Sequence, residues 1–323
     1  MRFIIATFGN NYTGFLLALL YSIKKNAPTA QVAVLWESID EEKINPIKKI
    51  FSEFDFIKTN YNFGKNKAKR IASKTILWEH AAKQYAGENL CFLDVDILIT
   101  KDITHFFDEL YFNIGFTYKD EHYPLNTGVL LSDGSNKGIN FFTSWKQKTM
   151  EIINDEILFA QANNTSLPYG AADQMSLFNM LKYQKENDQY NIFLLGNDTC
   201  FKGIPCRMLN ETNSTSISFD THIIHYKGVW QDVLIKGMNF SRYRTKKDSW
   251  EMYIYFLTQY KEAIEYMNKT LHTNYRADFF NIRIPAYMNK RTLQENSVLY
   301  IFHFIRNAFD RLLFLVSRKL KIS

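Results

Sequence analysis

The run Cys91-Phe92-Leu93-Asp94-Val95-Asp96-Ile97-Leu98-Ile99 sets two carboxylates, two residues apart, inside an otherwise apolar stretch. In a strand, residues i and i+2 share a face. Asp94 and Asp96 therefore point the same way, at the end of a segment that reads as buried. Burying like charges side by side is costly unless a cation or a dense donor set meets them. A divalent metal is one solution, because hard cations take carboxylate oxygens. A metal held at a strand end is also placed to receive a diphosphate. The alternative is an acidic turn that closes the strand, with both carboxylates in water.

The surrounding pattern says what kind of strand end this is. Apolar, β-branched runs at 3–7, 31–36, 56–59 and 90–94 read as strands, and helical periodicity marks 12–25, 41–54 and 69–85. Such alternation predicts an α/β domain with a mostly parallel sheet between layers of helices. Sheets of this kind bind ligands at the carboxyl ends of their strands. The Asp94/Asp96 pair and the loop from Thr7 to Tyr12 both lie at such ends. Beyond them, 114–118, 128–132, 192–195 and 221–226 read as strands, 139–153 and 172–181 as helices, and the chain turns helical and aromatic from about Ser249. A catalytic domain over 1–240 and a helical, basic and aromatic extension over 241–323 are expected.

Composition narrows the partners. A net charge of +6 suits a phosphate-bearing ligand and does not call for nucleic acid. The three cysteines form no metal-ligand pattern. Cys91 reads as a small core hydrophobe, and Cys200 and Cys206 are able to pair, although so low a count points to a reducing compartment. Asn-x-Ser/Thr triplets at Asn210 and Asn213 are expected by chance in so Asn-rich a chain. The opening apolar run is too short for a secretory signal, and no apolar run reaches the length of a membrane span. A cytoplasmic location follows as the expectation. Residues 298–322, rich in Phe, Leu and Ile with interspersed Arg306, Arg311, Arg318, Lys319 and Lys321, fit an amphipathic helix in a membrane interface or one packed on the domain. The cluster Arg242, Tyr243, Arg244, Lys246 and Lys247 suits an anionic acceptor, a membrane surface or plain solvent.

Four more segments are able to carry chemistry. In Ala6-Thr7-Phe8-Gly9-Asn10-Asn11-Tyr12, Tyr12 would stack on a base or pack at the start of a helix. Asn126, before the strand Gly128 to Ser132, would donate its amide to a sugar hydroxyl or shape a turn. Asp173, with Gln174 beside it, would accept from sugar hydroxyls or cap the following helix. His225, at the end of an apolar strand, would be a third metal ligand or a satisfied core histidine, and Gly228 would let the backbone approach a phosphate.

Taken in order, these segments resemble the family 8 glycosyltransferases, a GT-A fold group that includes glycogenin and bacterial lipooligosaccharide galactosyltransferases. The resemblance runs from the first strand to about Trp230. It implies a uridine-binding loop with Thr7, Phe8, Asn11 and Tyr12, and a donor-contacting Lys74. It implies a metal-binding Asp94-Val95-Asp96 with Val95 beside the donor, and a sugar-contacting Asn126. Asp173 and Gln174 would lie next to the donor sugar, and His225 with Gly228 would match the family's His-x-x-Gly. The implied chemistry is Mn2+- or Mg2+-dependent transfer of a hexose from a UDP-sugar to a glycan, glycolipid or glycoprotein acceptor, with retention of configuration. The family's Lys-Pro-Trp is replaced by Val229-Trp230-Gln231-Asp232, so Lys227 or Lys236 takes the diphosphate-contacting role. Met175 stands where a second acid often follows Asp-Gln.

Competing classes fit less well. Haloacid-dehalogenase phosphatases place Asp-x-Asp near the N-terminus, with Thr or Val where this chain has Leu98. A nucleotidyltransferase calls for a Gly-rich basic loop after the first strand, which Thr7-Phe8-Gly9-Asn10 lacks. A non-catalytic sugar-binding or interaction module would show a broken metal triad.

Overall fold

The structure is a computed structural model that describes residues 1–61, 66–109, 111–118, 125–164, 166–167, 170–186, 189–194, 199–212, 217–227, 233–235 and 250–283. In chain order the strands are β1 (Arg2–Phe8), β2 (Gln31–Glu37), β3 (Asp55–Lys58), β4 (Leu90–Asp94), β5 (Ile97–Ile99), β6 (Ile114–Tyr118), β7 (Leu125–Ser132), β8 (Leu181–Glu186), β9 (Gln189–Leu194), β10 (Phe201–Pro205) and β11 (Ile223–His225). The helices are α1 (Thr13–Asn26), α2 (Glu41–Ile50), α3 (Lys67–Ala72), α4 (Lys74–Gln84), α5 (His105–Glu109), α6 (Asn136–Asn154), α7 (Glu156–Ala162), α8 (Ala172–Met180), α9 (Cys206–Leu209) and α10 (Trp250–Leu271).

Seven strands form one sheet in the order β10-β6-β7-β4-β1-β2-β3. β1 pairs in parallel with both β2 and β4, and β2 with β3. β7 alone runs against its neighbours β4 and β6. Its first residues therefore lie at the edge where the parallel strands end, which brings Asn126 beside Asp94. β1 is apolar on both faces because both are covered. Phe3 and Ile5 join the cluster built with α1, α2 and α10, while Ile4 and Ala6 join the one built with α4 and α6. In that second layer Trp78 packs on Phe92 and Trp145 with ring centroids 5.5 and 5.8 Å apart.

Three features differ from what periodicity predicts. The helix expected over 69–85 is broken at Ser73, whose backbone N–H and hydroxyl both bond the Lys69 carbonyl; the chain restarts as α4 with Lys74 as its first residue. The strand expected from Gly128 begins earlier, at Leu125, and so contains Asn126. The β6–β7 register shifts between Phe116 and Thr117, so Thr127 and Gly128 arch out of the ladder towards the strand ends. The small ladder β5–β11, which pairs His225 with Ile97, was half legible: β11 was predicted and β5 was not.

α10 is bound into the same core. Met252, Phe256, Tyr260, Ala263 and Met267 on it are buried, and Phe256 meets Phe15 of α1 with centroids 4.9 Å apart. Beyond α10, Asn281 donates from Nδ2 to the Asn10 carbonyl at 2.7 Å, tying residues 277–283 to the loop after β1. The chain here passes so close to α1 that a Cβ on Gly14 would lie 2.6 Å from the Phe280 carbonyl oxygen. No helix among the described residues is long and apolar enough to cross a membrane. The basic cluster at 242–247, the 298–322 segment, Gly228 and Lys236 lie outside the described residues. Phe256→Ala should lower the unfolding free energy by about 3–5 kcal/mol, as for other buried aromatic truncations; urea denaturation checks this, and a loss under about 1 kcal/mol would mean that α10 is not part of the core.

Candidate active site

A cleft opens at the carboxyl edge of the sheet, lined by residues that include Phe8, Tyr12, Lys74, Asp94, Val95, Asp96, Asn126, Asp173, Gln174, His225 and Lys227. Most of the residues predicted for the site thus converge on one wall. Two do not. Thr7 is fully buried inside β1, and Asn11 is exposed outside the lining. Their neighbours Phe8 and Tyr12 face the cleft instead, as the alternation of a strand and the turn after it dictate.

β4 delivers Asp94 and the turn after it delivers Asp96. β11 then lies against β5, and Tyr226 donates its N–H to the Asp96 carbonyl at 2.7 Å. That ladder sets His225 Nε2 at 3.2 Å from Asp96 Oδ1 and 3.9 Å from Asp94 Oδ2. Gly128 makes room for the ring: a Cβ there would lie 2.7 Å from His225 Nδ1 and closer still to Cε1. The other ring nitrogen, Nδ1, sits 2.8 Å from Asn210 Oδ1. Asn210 is fully buried and committed to this contact, so its Asn-x-Thr triplet offers no side chain for modification in the folded protein.

The remaining charge is Lys74, almost fully buried. Its ammonium donates to Asp94 Oδ1 at 2.7 Å and to the Thr127 carbonyl at 3.2 Å, and lies 3.4 Å from Asp173 Oδ2. Burial works to lower its pKa, but Asp94 and Asp173 outweigh that and the net shift is upward. Asp173 does not cap α8, whose N-terminal residue carries no side-chain cap. Its Oδ2 accepts from the Thr127 hydroxyl at 2.6 Å, its backbone carbonyl accepts from Trp145 Nε1 at 2.9 Å, and its buried Oδ1 has no hydrogen-bond partner among the described residues. Asn126 Oδ1 accepts the Gly128 N–H at 2.8 Å, which leaves the amide NH2 as the end available to a ligand. Burial raises the Tyr12 phenol to about 12, aided by Asp96 and Asp94 and opposed by Arg70, so the hydroxyl stays a donor near the carboxylates.

The donor set fits a divalent cation. One oxygen from each of Asp94 and Asp96 and one His225 nitrogen lie within 4.8 Å of one another. Burial lifts the Asp94 carboxyl above its ordinary range; Lys74 and His225 oppose this, Asp96 adds to it, and the net is upward. The cluster is short of positive charge even with Lys74 in place. Two unit charges about 4 Å apart still repel by about 4 kcal/mol at an effective dielectric of about 20. Carboxylate oxygens and an imidazole nitrogen are donors that a divalent cation accepts.

Thr117, Thr127 and Asn210 were not visible in the sequence as site residues. Thr127 stood next to a candidate and was legible in principle. Thr117 and Asn210 carry no local signal, because only the fold brings them to His225. None of the three cysteines forms a disulfide, and Cys91 is buried in β4 as expected.

The model of the family described as "Glycosyl transferase family 8" matches residues 3–232. Among solved structures, the chain is similar to the galactosyltransferase LgtC in complex with donor and acceptor sugar analogues, at 14% identity over 81% of this chain and 96% of that one, with a TM-score of 0.50. It is likewise similar to the glycosyltransferase GlyE of Streptococcus pneumoniae TIGR4, at 14% identity over 85% of this chain and 65% of that one, with a TM-score of 0.52. At these identities the likeness is one of fold, the GT-A fold. No curated relative matches by sequence.

Lys74→Met should cost about 3–5 kcal/mol in urea denaturation, because it leaves Asp94 and Asp173 with an uncompensated buried charge. A loss below about 1 kcal/mol would mean that the pair behaves as a solvated surface bridge.

Proposed function

The chain belongs to glycosyl transferase family 8, and from that membership we propose that it transfers a hexose from a UDP-sugar to a sugar-bearing acceptor, with Mn2+ or Mg2+ and with retention of anomeric configuration. The observation that carries this reading is the convergence of Asp94, Asp96, His225, Lys74, Asn126 and Asp173 on one cleft at the carboxyl ends of the strands. The acceptor is a glycan, glycolipid or glycoprotein, and the place of action is the cytoplasm. The domain division at about residue 240 is kept as a proposal, with residues 250–283 serving to brace the catalytic core.

Asp94, Asp96 and His225 hold the cation. When bound, it supplies positive charge that offsets the negative charge developing on the leaving diphosphate. A second positive group for the same oxygens comes from Lys227, which lines the cleft one residue past Tyr226, or from Lys236, and Gly228 is proposed to let the backbone approach the phosphate. Phe8, Tyr12 and Val95 bound the nucleoside side, with Thr7 and Asn11 shaping the loop that carries them. At the sugar end, the Asn126 amide NH2 donates to a hydroxyl, and the unpartnered Asp173 Oδ1 accepts from another. Lys74, 3.4 Å from its other oxygen, fixes where that carboxylate aims. Gln174 stands beside Asp173 at the reacting carbon.

The assay is UDP release from a panel of UDP-sugars with Mn2+ and with chelator. Wild-type protein should turn over one sugar and lose activity with chelator, and Asp96→Asn and His225→Ala should each lower kcat/KM by about 100-fold or more. Turnover that survives both substitutions would refute the cation assignment. Phosphate release that needs no UDP-sugar would refute the transferase reading.

A further inference from the structure

A neutral imidazole carries one proton, and the nitrogen that carries it cannot bind a metal. With a cation facing the ring, a chain of hydrogen bonds fits one choice. The Asn126 backbone carbonyl is an acceptor only, and it takes the Thr117 hydroxyl proton at 3.1 Å. A hydroxyl has one proton to give, so the 2.7 Å contact between Thr117 Oγ1 and Asn210 Nδ2 is one in which Asn210 donates. The Asn210 amide is thereby oriented, NH2 towards Thr117 and carbonyl oxygen towards His225 Nδ1 at 2.8 Å. A carbonyl oxygen accepts, so the proton of His225 sits on Nδ1. Nε2 is left with its lone pair directed at Asp96 and Asp94.

Turning the amide over would move the Thr117 hydroxyl proton to the Asn210 oxygen, set an NH2 group against Nδ1 and put the ring proton on Nε2, in conflict with a cation there. No bulk water is at hand to relieve that conflict, because Thr117, Asn210 and His225 are 1%, 0% and 3% exposed. Nor is the ring free to shift away, since it packs flush against Gly128. The relay starts at the arch of β7, where the ladder with β6 shifts register, and ends on β11.

We infer that Asn210 is a positioning residue: with Thr117 it fixes His225 in the Nδ1–H tautomer and so presents Nε2 as the nitrogen ligand. The inference rests on the cation reading of the proposed function. Such outer partners of a ligating histidine commonly govern affinity by about 10–100-fold.

Two measurements test it. Long-range 1H–15N spectra of the wild-type protein saturated with Mg2+, with labelled histidine, should show the proton on Nδ1 and none on Nε2; the opposite tautomer in the loaded protein overturns the inference without need of any variant. Mn2+ binding, followed by the EPR signal of the free ion, should be weaker in Asn210→Ala by about 10–100-fold. Asn210→Asp keeps an acceptor for Nδ1–H and should bind within about threefold of wild type, as carboxylate–histidine pairs do at other metal sites. Equal Mn2+ affinity in wild type and Asn210→Ala, or equal weakening in the Asp and Ala variants, overturns the inference. Wild-type protein that takes up no Mn2+ would instead overturn the cation reading itself.

Discussion

The pairing of one buried ammonium with the carboxylates at the end of β4 is the interaction on which the rest of this structure turns. Lys74 lies between Asp94 and Asp173, which come from strand and helix segments far apart in the chain. It neutralises part of that charge and fixes where both carboxylates aim. Asp96 lies beyond its reach and faces His225 instead. The charge left over gives the site a reason to bind a cation, and a cation gives it a means to hold a diphosphate. A single arrangement thus accounts for the polarity of the cleft, and in the proposed function it would separate a diphosphate end from a sugar end.

That arrangement depends on geometry that the fold supplies in pieces. The reversed strand β7 brings Asn126 and Thr127 to the edge where β1 and β4 end. The register shift against β6 arches Thr127 and Gly128 inward, so that Thr127 meets Asp173 and Gly128 clears space for the His225 ring. On the far side, Tyr226 follows His225 directly and donates its hydroxyl to the Met252 carbonyl of α10 at 2.9 Å, while its ring meets Phe256 edge-on. The helix that follows the family-matched region therefore anchors the strand carrying His225. Asn281 does the same for the loop that carries Tyr12, through Asn10.

The sequence was most readable where period and chemistry coincide. Alternation picked out Asp94 and Asp96 as a pair at a strand end, although the strand stops at Asp94 and the turn carries Asp96, and continuous apolar runs marked β1, β2 and β4 as strands covered on both sides. Helix breaks were harder. Nothing in 69–85 announces a stop at Ser73, which is neither glycine nor proline; its hydroxyl bonds the Lys69 carbonyl one turn back, a contact that bends helices. Asn126 looked like a turn residue because the arch that follows it resembles a turn in sequence. Asn210 and Thr117 were illegible for a different reason: their roles exist only between elements nearly a hundred residues apart in the chain, and no local pattern encodes such a meeting.

The central claim is that Asp94, Asp96 and His225 form one cation site that serves a nucleoside diphosphate. Diffraction from crystals grown with Mn2+ and UDP tests it most directly, using the anomalous signal of manganese to locate the ion. The account predicts one peak at bonding distance from an oxygen of Asp94, an oxygen of Asp96 and Nε2 of His225, with the diphosphate oxygens completing its shell and the uracil on the Tyr12 side of the cleft. Manganese bound elsewhere, or UDP seated in the cleft with no ion between it and these three residues, would contradict it.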